Sequence, residues 1–97
     1  MRLTILAGLF LLIPAAHAAD FQDEFEARRQ RQDLKIEQGV ATGAIDEREA
    51  KRLQRQQDRN RRREERALSN GESAAKQYQQ LQRHNRKLEQ RIERANR

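Results

Sequence analysis

The 97-residue chain has no cysteine, no tryptophan, one proline and four glycines, and aromatic residues make up 4% of it. Without cysteine there can be no disulfide framework, the device by which many small exported domains compensate for a thin core. A lipoprotein anchor, which needs a cysteine, is excluded as well. His17 and His84 are the two histidines, and the first lies in a leader-like segment, so no structural metal site is expected. Serine is confined to Ser69 and Ser73, both at expected helix ends where capping accounts for them. There is no glycine-rich phosphate loop and no EF-hand loop. Carboxylates are numerous but interleaved with arginines, and His84 falls on the flank of a heptad seam. No residue set has the makings of a catalytic site. An enzyme is not expected, nor a cofactor or a metal.

What the chain does have begins at its N-terminus. Arg2 provides a positive start, Leu3 to Ile13 an apolar run, and Pro14 a helix break. Ala16-His17-Ala18 then supplies the small-x-small cleavage site of a secretory signal peptide. The run is short of the roughly 20 residues that cross a hydrocarbon core. Residues 1–18 therefore read as a cleaved signal peptide, with a retained N-terminal anchor as the alternative. The mature chain would start at Ala19 or Asp20. It would be periplasmic or secreted, with no stable membrane span after cleavage.

Past the leader, twenty basic residues face fifteen acidic ones. The charge is polarised. Ala19 to Glu47 carries four basic and eight acidic residues, and Arg48 to Arg97 sixteen and seven. The acidic front and basic back could pair within one molecule or between two. Only twelve large apolar residues remain, among them Phe21, Phe25, Ile36, Leu53, Leu88 and Ile92. So few make a self-sufficient monomeric core unexpected, and point to long helices, self-association or a partner for stability.

Glutamine, arginine, glutamate and alanine dominate, β-branched residues are scarce, and strand alternation is absent. The expectation is an all-α protein of two or three long amphipathic helices, a helical hairpin or short coiled coil, with termini that can be disordered. An acidic N-terminal helix covers 19–38, and a basic turn-helix-turn-helix region covers 39–97. In the first helix Phe21 and Phe25, then Gln32 and Ile36, stand four apart on one stripe. Gly39 and Gly43 are expected to end it. The second helix starts at Asp46, an N-cap whose capping box would be completed by Glu49, with Ile45 stapled onto Ala50. Its apolar stripe is poor, because Gln57 and Asn60 interrupt Leu53 and Ala67. Asn70-Gly71 stops it. In the third helix, from about Ser73 to Asn96, Tyr78, Asn85 and Ile92 take heptad position a, and Leu81, Leu88 and Ala95 take d. Tyr78, Leu81, Asn85, Leu88 and Ile92 thus form either one face of an intramolecular bundle or a self-association seam. A 28-residue echo, Leu53-Gln54-Arg55 against Leu81-Gln82-Arg83, hints at two copies of a turn-plus-helix unit.

The stretch DRNRRREER, Asp58 to Arg66, raises polyanion binding through Arg59, Arg61, Arg62, Arg63 and Arg66. Three features oppose nucleic acid as the target. Asn70-Gly71 interrupts the continuous helix that a basic-region fork needs. Glu64 and Glu65 dilute the cluster, and a leader removes the chain from the genome.

The segment QGVATGAIDEREAKRL, Gln38 to Leu53, resembles a group of small exported bacterial proteins of unknown function. Their pattern is QGxxxGx[hydrophobic][TD]xxEAxxL, followed by a Gln/Arg-rich helix, a second D/N-G turn and another Leu-Gln-Arg helix. Here Asn70-Gly71 and Leu81 to Arg86 echo that second unit, although Ser73-Ala74-Ala75-Lys76 lacks its T-P-x-E cap. In size, export and charge the chain is also distantly similar to helical periplasmic stress chaperones with LTxxQ motifs. The resemblance implies nothing about activity. Apolar stripes on flexible helices, flanked by charge and left incompletely covered, favour an exported helical interaction protein, chaperone-like or stress-related, that works by surface contact. Its partner would be a second copy or an envelope protein. The alternative is a basic adaptor for anionic envelope polymers such as lipopolysaccharide.

Overall fold

The computed structural model describes residues 2–70 and 73–97, and the side chains of 20–70 and 75–97. The protein is all-α, with helices α1 (Arg2–Thr42), α2 (Glu47–Ser69) and α3 (Ser73–Ala95). No strand occurs among the described residues. Side-chain bonds fix the topology. Gln32 of α1 reaches Asn85 and Glu89 of α3, and further along both helices Asn96, just past α3, reaches the carbonyl of Lys35. α1 and α3 therefore run parallel, and α2 returns antiparallel between them, in an up-down-up bundle. The stretch from Asp20 to Thr42 matches the 23 residues of α2 and of α3 in length.

Two expectations about α1 are corrected. It continues through Pro14 rather than breaking there. Proline's fixed φ suits a helix, and the costs are the ladder bond its missing N–H would have made and the crowding of its ring against the carbonyl four residues back. α1 also runs past Gly39 to Thr42, so the compositional division at 38/39 lies inside a helix. Gly43 alone ends it, with φ +81 and its amide donating to the Val40 carbonyl at 3.1 Å. Gly39 serves a different purpose: its backbone lies against Ile45, whose Cγ1 would sit 2.6 Å from an added Cβ. The Gly39 carbonyl accepts from the Ile45 amide at 3.0 Å and from the Thr42 hydroxyl at 3.1 Å. A missing side chain thus lets the turn close tightly over the end of α1.

Asp46 caps α2 as its residue type suggests. It is extended (φ −80, ψ 170), and its carboxylate accepts from the Glu49 amide at 2.8 Å. Ile45 and Ala50 on either side of the cap join one apolar cluster with Ile36, Leu53, Leu88 and Ile92. A second cluster, at the opposite end, holds Phe25, Ala67 and Leu81, with Phe21, Leu68 and Tyr78 packed against it. The Phe21 and Tyr78 rings stack there at 5.0 Å.

The two clusters are separated by a polar layer that sequence patterning did not suggest. Gln32, Gln57, Asn60, Glu64 and Asn85 are all buried. Asn85 donates to Glu64 at 2.8 Å, Gln32 to Asn85 at 3.2 Å, and Gln57 to Gln32 at 3.3 Å. Each helix contributes, so the layer is satisfied only in this register. Gln57 and Asn60, which seemed to interrupt the α2 stripe, are its continuation in polar form. The α3 seam is used up in the same way: Leu81, Asn85, Leu88 and Ile92 are 0–4% exposed within a single chain. Within one chain that seam packs against α1 and α2. Pairing through it with a second copy would require the bundle to open.

Candidate polyanion interface

Helical spacing sorts the charges of α2 onto faces. Leu53, Gln57, Asn60, Glu64 and Ala67 point inward. Arg48, Arg52, Arg55, Arg59, Arg62 and Arg66 follow one another at intervals of three and four and are all exposed. They form one row along the full length of the helix, with half-buried Arg63 on its inner edge. Facing this row across the α2–α3 groove, α3 presents Arg83, Lys87, Arg91 and Arg94, also exposed, and half-buried His84.

Four of the five arginines singled out by the sequence share this side of α2, and Arg61 does not. Arg59 and Arg62 lie in the exposed row, and Arg63 and Arg66 line a cleft between α2 and α3. Arg61 points elsewhere and is held by Asp58 at 3.6 Å and Glu65 at 3.8 Å. Neither glutamate dilutes the row, contrary to the expectation from their place in the sequence. Glu64 is buried against Asn85, and Glu65 faces Arg61. Among the described residues, the acidic ones that do touch the groove, Asp46 and Glu49, sit at its far end beside Arg52, Arg91 and Arg94.

The α1 side of the bundle is the more acidic, with exposed Arg31 and Lys35 among its carboxylates. Asp23, Glu26, Asp33 and Glu37 share the outer face of α1 and are exposed. The front-to-back polarity of the sequence thus becomes a side-to-side polarity of the folded bundle. Ion pairing between helices is slight: among the described residues one salt bridge crosses elements, Arg28 to Glu89 at 2.8 Å. Most of the basic row is therefore not neutralised within the molecule.

The cleft at the Asn70 end has a volume of about 340 Å³ and is lined by Arg63, Arg66, Asn70, Gln77, Gln80 and His84 over a floor of Ala67 and Leu81. Burial and the positive charges of Arg63, Lys87 and Arg83 push the His84 imidazole below its usual value. Sequence reasoning placed His84 on an exposed flank; it is half-buried because α2 covers one side of it. The signal that was present, and missed, is the three-and-four spacing of arginines from Arg48 onward.

Buried Glu64 is the other perturbed group. Burial raises its carboxyl above 4.5, and the Asn85 amide and the Arg29 and Arg28 charges partly oppose that rise. The described residues hold no group of His, Cys, Asp or Glu able to bind a metal, and no helix long and apolar enough to cross a membrane. No protein family, curated protein or solved structure matches the chain.

Proposed function

We propose that the protein is a non-enzymatic, exported helical binding protein whose α2–α3 face holds anionic envelope polymers, with lipopolysaccharide phosphates as the target. The observation that carries this reading is the arginine row from Arg48 to Arg66, exposed along one side of α2 and matched by basic residues of α3. Arginine offers phosphate a planar, bidentate fork, and a one-signed groove concentrates counter-charge. The competing reading, a chaperone-like protein holding clients through apolar contact, rests on apolar stripes left uncovered. In the closed bundle those stripes are buried, and Leu34 and Val40 are the large hydrophobics left exposed among the described residues.

The test is binding of the purified protein to lipopolysaccharide between low and high salt, with aggregation suppression of an unfolded client measured in parallel. Binding that falls steeply as the screening length shrinks from about 10 Å at 0.1 M salt supports the proposal. Salt-insensitive client suppression without polymer binding overturns it in favour of apolar contact. Equal or tighter binding to duplex DNA than to lipopolysaccharide overturns the choice of target.

A further inference from the structure

The basic row explains attraction to a polymer but not where a single anionic group would settle. We infer that the cleft between α2 and α3 at the Asn70 end seats a phosphomonoester, gripped by Arg63 and Arg66 of α2 and by His84 of α3. This rests on the reading of the α2–α3 face as a polyanion surface and deepens it to one position.

Three observations converge there. First, the site is a concavity of about 340 Å³, and the other concavity of the groove, beside Arg52, Arg91 and Arg94, is shared with the carboxylates Asp46 and Glu49. Second, its cations are uncommitted. Arg61, Arg28 and Arg91 spend their guanidiniums on Glu65, Glu89 and Gln56 respectively. Arg63 and Arg66 make no such side-chain bond among the described residues, although both border the cleft. Third, the remaining lining is donor-rich and, among the described residues, carries no carboxylate: Asn70, Gln77 and Gln80 offer amides. Such a lining suits a tetrahedral dianion with several oxygens to satisfy, and two arginines plus side-chain amides fit it better than they fit a single carboxylate.

His84 adds a pH response. From its own helix it faces Arg83 and Lys87, and from α2 it faces Arg63, with Arg66 on the cleft rim. These cations and its burial favour the neutral ring. A dianion in the cleft would reverse the local field, favour the imidazolium, and gain a further charged donor as the pH falls.

The probe is glucose 1-phosphate, with glucose as the neutral control, titrated into the purified protein while the ring proton resonance of His84 is followed by NMR. The resonance is identified by its loss in His84→Asn. The phosphomonoester should shift it and raise its titration midpoint, glucose should do neither, and binding should tighten as the pH is lowered. Arg63→Gln with Arg66→Gln should weaken binding about tenfold or more, and Arg31→Gln, at an exposed position on α1 away from the groove, should leave it nearly unchanged. A His84 midpoint indifferent to the phosphomonoester, or a response that survives the Arg63/Arg66 double change, overturns the seat. Lipopolysaccharide binding by the same variants separates the two readings. Polymer binding with a silent His84 leaves the face standing and removes the seat. A responsive His84 without polymer binding does the reverse.

Discussion

Inside the bundle, the side-chain amide of Asn85 donates to a carboxylate oxygen of Glu64 at 2.8 Å. Both residues sit at seam positions that an ordinary bundle fills with leucine, and both are 4% exposed. They link α2 to α3, and Gln32 extends the link to α1. Removing one partner should cost more than removing both. Asn85→Leu leaves a buried carboxylate without its donor and should destabilise by about 1–3 kcal/mol. Glu64→Leu with Asn85→Leu should recover that loss or exceed the parent, as apolar replacement of buried polar pairs often does. Urea unfolding of the two variants and the parent decides the point. A double variant no more stable than Asn85→Leu alone would show that the bond is not where the energy lies.

Glu64 also gives stability a pH dependence whose direction follows from its raised pKa. Its folded value lies above the unfolded 4.5, so the fold favours the protonated acid. The group's favourable contribution is complete below about 4.5 and is lost as the pH rises through the folded value. Glu64→Gln keeps an acceptor for Asn85 and carries no charge. It should therefore be more stable than the parent at pH 7, with the difference shrinking as the pH is lowered toward 4.5 and below. Thermal melts across pH 4 to 8 measure this (a working range bracketing the ordinary carboxyl value). A constant difference over that range would rule out Glu64 titration as its source.

Local chemistry was legible in the sequence wherever one short stretch contains the whole cause. The Asp46 cap needs only the amide of Glu49, three residues on, and Gly43 needs only its own backbone freedom. The polar layer was not legible, because each member is tolerable inside only through partners on other helices. Gln57 reads as a surface residue until Gln32 and the Arg29 carbonyl are seen to accept from it. The acidic dilution of the basic cluster was misread for a related reason. Glu64 and Glu65 are adjacent in the chain, yet about 100° apart around a helix. One turns into the core and the other toward Arg61.

The two turn glycines should respond differently to alanine. At Gly39 a methyl would press on Ile45 and Asn96, and overpacking of this kind costs about 1–3 kcal/mol. Better helix propensity returns up to about 1 kcal/mol of that. At Gly43 nothing stands within 4 Å, but φ is +81. Alanine there should cost about 1–2 kcal/mol through its left-handed backbone alone. Gly43→Asn should recover part of the loss, because asparagine tolerates that conformation, while Gly39→Asn should be worse than Gly39→Ala. Chemical denaturation of the four variants tests the contrast. Similar effects of asparagine at both sites would mean that the Gly39 contact is not tight.

Loss of apolar volume should be felt most where the helices meet at the Ile45 end. Leu53, Leu88 and Ile92 are 1%, 0% and 0% exposed and belong to one cluster. Each truncated to alanine should cost about 2–5 kcal/mol, a large share of what so small a domain can hold. Leu34→Ala, at a position 54% exposed, should fall within about 0.5 kcal/mol of the parent. Unfolding midpoints that moved as much for Leu34 as for Leu88 would show that Leu34 is covered in solution.

A built face and a mere excess of arginine differ in how neighbouring arginines contribute. Arg59, Arg61 and Arg62 lie within four residues of one another and carry the same charge, so a composition-driven interaction would treat them alike. In the fold, Arg59 and Arg62 are exposed in the row, while Arg61 is held between Asp58 and Glu65. At low salt, Arg59→Gln and Arg62→Gln should each weaken lipopolysaccharide binding by up to about fivefold, the scale of an exposed ion pair. Arg61→Gln should have a smaller effect, because its charge is already partly answered within the molecule. At high salt the three variants and the parent should converge as screening removes the common term. Equal losses at all three positions would show that net charge, and not the face presented by α2 and α3, governs the interaction.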